Sequence, residues 1–182
     1  MIAVVAILIA TGGAPSAAVA SAARPGIQVS ADGLAFADEI TRPLFSGLPV
    51  VVPGDRVVRT LWVRNGGSEA GVLRLSGTDA WSTDSAFARD LLVSADPDGS
   101  GPGDAVALGE VGACALIVSG PVLQPGQTLP IEITVAFSID TPARTGVQAS
   151  AGLDFVAAHP DPADGAPAGA DCSGGTVVPG LP

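Results

Sequence analysis

The chain has 182 residues and a formal net charge of −10, and all eight of its basic side chains are Arg. That balance argues against binding nucleic acid or anionic lipid, both of which need clustered positive charge. With no Lys and the single His159, little is left for an acid–base or nucleophilic site, so a non-enzymatic protein needing no cofactor is expected.

Ile2 to Ala10 is an apolar run of nine residues, well short of the roughly 20 that span a bilayer. Ala18-Val19-Ala20 and Ala20-Ser21-Ala22 both fit the small-x-small rule of a signal-peptidase site. Residues 1–22 therefore read as a signal peptide, with a retained anchor as the alternative. The basic start usual for such a peptide is missing, since Met1 leads straight into Ile2. The expected location is secreted or cell-surface, with no membrane insertion after cleavage.

From there the pattern is that of strands. Ile27–Ser30 and Leu48–Val52 are short candidates, and Pro53-Gly54-Asp55 then suits a type II turn. Val57–Asn65 places Leu61 and Val63 on one face and Trp62 on the other, where it reads more readily as packing filler than as an exposed contact. Asn65-Gly66-Gly67-Ser68 is a hairpin-type turn leading to Gly71–Thr78, with Leu73 and Leu75 inward and Arg74 outward. Thr83–Leu91 is the one helical signal, a turn or two capped by Asp84 and carrying Phe87. Leu91–Ser94 and Ala115–Val122 follow as strands, and Pro125-Gly126-Gln127 is another turn.

Ile131–Ile139 has the clearest alternation, with Ile131, Ile133, Val135, Phe137 and Ile139 on one face. Val147–Ala157 repeats it more weakly. Short strands, frequent turns and almost no helix predict an all-β fold, a two-sheet antiparallel β-sandwich of jelly-roll or Ig-like type, over residues 23–158. Residues 159–182, rich in Pro, Gly and Ala, are expected to form a flexible tail.

Two features suggest local chemistry. Asp96, Asp98 and Asp104, with Gly101 between them, follow the spacing of a calcium-binding loop, but Ala107 stands where a bidentate Glu is needed. Weak Ca²⁺ binding and a solvated loop are the alternatives. Cys114 and Cys172 are the only cysteines, and in an exported protein they are candidates for one disulfide, the alternative being two free thiols.

Leu44-Phe45, Leu48, the Pro53 turn, Leu61 to Ser68, Leu123 to Thr128 feeding the Ile131–Ile139 strand, and Gly146-Val147-Gln148 before Phe155 to Ala158 together resemble the TasA/camelysin family. The resemblance covers roughly residues 27–158. It implies a jelly-roll-like sandwich and an extracellular matrix fibre subunit that self-associates by strand pairing or meets other surface proteins, with about Gly26 to Phe36 as the donor segment, the alternative being that Ile27–Ser30 pairs within its own domain. A monomeric adhesion or ligand-binding module is the alternative. Some camelysin-type proteins are called metallopeptidases. A single His cannot build the paired-His zinc site that such chemistry requires.

Overall fold

A computed structural model describes residues 26–48, 50–97, 99, 101, 103–140, 149–158, 172 and 175–182. The signal segment 1–22 lies outside them. Alternating apolar residues produce strands first: β1 (Ile27–Ser30), β2 (Arg56–Asn65) and β3 (Gly71–Ser82). Asp84 then caps the short helix α1 (Ser85–Asp90), its carboxylate accepting the Ala86 and Phe87 N–H groups. Next come β4 (Leu91–Asp96), the two-residue β5 (Val106–Ala107) and one helical turn, α2 (Leu108–Val111). The strands β6 (Ala115–Leu123), β7 (Thr128–Phe137), β8 (Ala151–Ala158) and β9 (Thr176–Leu181) complete the domain.

The strands form two antiparallel sheets, sheet A in the order β1-β2-β7-β4-β5 and sheet B in the order β6-β3-β8-β9. Leu61 and Val63 of β2, Ile131, Ile133 and Val135 of β7, and Leu91, Val93 and Ala95 of β4 point inward from sheet A. Leu73, Leu75, Leu153, Phe155, Val178 and Leu181 meet them from sheet B. The molecule is thus an all-β sandwich, because period-two apolar patterns on both sheets can be satisfied only by stacking the two faces.

Several expectations are corrected. Leu48–Val52 forms no strand, and Val50 is 84% exposed. Pro49 and Pro53 remove the N–H groups a ladder would use there. Ile139, expected in the core, lies past the end of β7 and is 79% exposed. Val147 and Gln148 lie outside the described residues, and the strand expected there begins at Ala151. Arg74 is on the outward parity of β3 yet is buried.

The expected flexible tail also ends differently. Thr176–Leu181 is the strand β9, so the sandwich extends beyond Ala158. Composition hid this, because only Val178 and Leu181 reach the core cluster. The rest of the attachment is polar and backbone-mediated. Thr176 donates its hydroxyl to the Ile27 carbonyl at 2.8 Å. Leu44 and Phe45 donate their N–H groups to the Pro179 and Gly180 carbonyls at 2.8 and 3.0 Å. A side chain at Gly180 would meet the Phe155 ring at 2.5 Å, so only glycine lets β9 approach. Just ahead of β9, Cys172 is disulfide-bonded to Cys114, across a separation of 58 residues. Residues 159–171 lie outside the described residues.

Candidate assembly edge

Sheet A has an incompletely paired strand where β1 leaves β2. β1 pairs with only four residues of β2, from Ile27↔Asn65 to Ser30↔Trp62. β7 follows β2 on the opposite side all the way from Arg56 to Arg64. The first six residues of β2, Arg56 to Leu61, therefore have no ladder partner on the β1 side among the described residues.

The cause is a turn. Asp32 accepts the Leu34 N–H at 2.8 Å, the Ala35 N–H at 3.1 Å and the Ser30 hydroxyl at 2.8 Å. Those three bonds, the Leu34 N–H first, stabilise the ionised carboxylate and hold its pKa below the usual carboxylate range. The turn ends the pairing with β2 at Ser30 and brings the chain back beside β1, where Ala37 bonds Val29. Gly33 at its apex has φ +74° and lies against the Trp62 indole, where an added Cβ would meet Cε2 at 2.8 Å.

The direction of the free backbone groups follows from the neighbouring bonds. Val29 exchanges both its bonds with Ala37, so its peptide groups face away from β2. Its partner Val63 then faces β7, and Asn65, bonded to Gln127 and Gly126, faces the same way. Alternation along the strand points the N–H and C=O groups of Thr60 and Val58 toward the open side. The Arg59 guanidinium donates to the Val58 carbonyl at 3.0 Å.

Beside this edge runs a groove of about 510 Å³, lined by Ala31, Asp32, Arg42, Pro43, Trp62 and neighbouring residues of β2. Arg42 and Arg59 are both exposed. The one ion pair among the described residues is Arg89 with Asp90, far along the chain from this site. Arg56 instead donates to the Thr134 hydroxyl, and Arg64 to the Gln28 side chain while stacking 4.4 Å from the centre of the Phe36 ring. Trp62 is on the outward face and half-buried, which corrects its reading as interior filler.

The residues singled out from sequence lie elsewhere. Asp96 is buried, and its two oxygens accept the Gly99 and Gly101 N–H groups, closing the acidic loop on itself. Asp104 is exposed, and Asp98 lies outside the described residues. Among the described residues no three Cys, His, Asp or Glu side chains converge as a metal set. Sequence patterning did not reveal the open edge, because it depends on where β1 stops. The cue was present in Ser30-Ala31-Asp32-Gly33, a turn-forming run ending a very short strand.

No protein-family model matches the chain, and no curated protein matches it. Among solved structures it is similar to AvmM, which catalyses macrocyclisation in alchivemycin A biosynthesis, at 17% identity and a TM-score of 0.41, over 74% of this chain and 78% of that one. It is also similar to Spo0M, a sporulation control protein from Bacillus subtilis, at 19% identity and a TM-score of 0.24, over 59% of this chain and 37% of that one. Both likenesses are too distant to carry a functional argument.

Proposed function

We propose that this protein is an exported, non-catalytic structural subunit that associates with copies of itself by β-strand pairing at the cell surface or in an extracellular matrix. The observation supporting this reading is the stretch of β2 from Arg56 to Leu61, which pairs with β7 on one side and has no ladder partner on the β1 side among the described residues. A row of free N–H and C=O groups on a sheet edge is a template for an incoming strand. The family resemblance drawn from Leu61 to Ser68 and from Leu123 to Ile139 agrees with it.

Of the two alternatives for the N-terminal strand, the structure has pairing within the domain. Ile27–Ser30, at the start of the expected donor segment, pairs with its own β2. In this reading the sandwich therefore contributes chiefly an acceptor edge. Sedimentation velocity of the mature chain across a concentration series, with electron microscopy of the same samples, tests the reading. Growth of sedimentation coefficient with concentration is expected. A single monomeric species at millimolar concentration would rule it out.

A further inference from the structure

We propose that the groove beside β2 receives an extended, carboxylate-bearing segment of a second copy of this chain, which adds to sheet A next to Val58 and Thr60 and is drawn in by Arg42 and Arg59. This rests on the self-association proposed above and names its acceptor site.

Length permits it. At roughly 3.3 Å per residue, the six free residues of β2 offer about 20 Å of edge, the length of an ordinary strand. The backbone also permits it, because Val58 and Thr60 face the open side and Arg59 is the group occupying the Val58 carbonyl.

Charge selects the occupant. Copies of a chain with net charge −10 repel one another over most of their surface, so association needs a place where the sign reverses. Arg42 and Arg59 both line the groove, and Asp32 is the carboxylate facing them there. The Asp32 oxygen is engaged by the Leu34 and Ala35 N–H groups and the Ser30 hydroxyl. Nearby Asp55 accepts the Val52 N–H. The two guanidiniums thus have no ion-pair partner among the described residues, while the chain carries 18 acidic side chains against eight basic ones. A second copy is consequently a ready source of the missing carboxylates.

Charged residues on a free edge have a competing use, which is to deter pairing. The two roles predict opposite responses to Arg removal. The experiment is sedimentation of the full mature chain and of the double variant Arg42→Ala/Arg59→Ala at low and high salt, with amide exchange read at Val58 and Thr60. If the arginines recruit, the double variant associates at least about tenfold more weakly, salt weakens the parent chain, and the Val58 and Thr60 amides become protected on assembly.

Equal or tighter association of the double variant would assign the arginines to deterrence and overturn the proposal. Assembly that leaves the Val58 and Thr60 amides unprotected would overturn it too, while leaving self-association by another surface intact. A parent chain that stays monomeric while a poly-glutamate peptide protects those amides would overturn the second copy as occupant. Unchanged thermal melting of the double variant confirms that each result reports on the edge.

Discussion

The edge of sheet B at β9 and the edge of sheet A at β2 lie on either side of one connecting segment, and that segment treats them differently. Leu44 and Phe45 donate to the Pro179 and Gly180 carbonyls, and the Phe45 ring is fully buried in the core. Val58 and Thr60 of β2 pair with β7 on one side and, among the described residues, have no ladder partner on the other. β9 is further held by the Thr176 hydroxyl and by the adjacent disulfide. Of the two edges, the residues between β1 and β2 hydrogen-bond along the one formed by β9. In the function proposed above, the side of β2 left open among the described residues is the acceptor, and the closed β9 edge is not.

This contrast can be broken from the closed side first. Phe45→Ala removes a fully buried ring and should cost about 3–5 kcal/mol in chemical denaturation, the largest effect expected here. Amide exchange should then quicken across β9 before it does across β7. Wild-type exchange at β9 in the variant would mean that the Leu44-Phe45 latch does not hold that edge. Reducing the Cys114–Cys172 bridge should cost about 2–4 kcal/mol, since the link closes a long loop. A melting temperature unaffected by reductant would show that the bridge adds nothing to β9.

From the open side the effects are smaller. Arg42→Ala should change stability by less than about 0.5 kcal/mol, as expected for an exposed side chain with no salt-bridge partner among the described residues. A larger loss would show that the groove is part of the packed domain. The smallest effect is on pH. The folded-state pKa of Asp32 is lowered, chiefly by the Leu34 N–H, so its stabilising contribution is complete above the unfolded-state value and is lost as pH falls through the folded one. Acidification through and below the carboxylate range should therefore loosen the turn after β1 locally. Exchange-based NMR at Leu34 and Ala35 would detect it, and Asp32→Asn should show the loosened turn already at neutral pH.

Much of the fold was legible in the sequence because it rests on side-chain period. The alternation of Ile131, Ile133 and Val135 marks β7, and Asp84 marks the start of α1. What escaped was set by backbone contacts between distant segments. β9 was hidden because a strand containing Pro179 and Gly180 looks like a linker until Phe155 is placed beside it. The open edge was hidden for a related reason. Whether β2 is paired along its whole length depends on the reach of β1, and local composition does not encode that. The acidic loop was legible as a loop, but the Asp96 carboxylate closes on the Gly99 and Gly101 amides within it.

Gly33 against the Trp62 indole has an experimental consequence. The chain contains no Tyr and only two Trp, so emission excited at the red edge of the indole band, where Phe does not absorb, comes from Trp62 and Trp81 alone. Trp81 is exposed, whereas Trp62 is more buried, in the wall of the groove. Replacing Trp81 by Phe would leave a single intrinsic fluorophore beside the β2 edge, and its colour and quenching would report occupancy of that edge without any attached label.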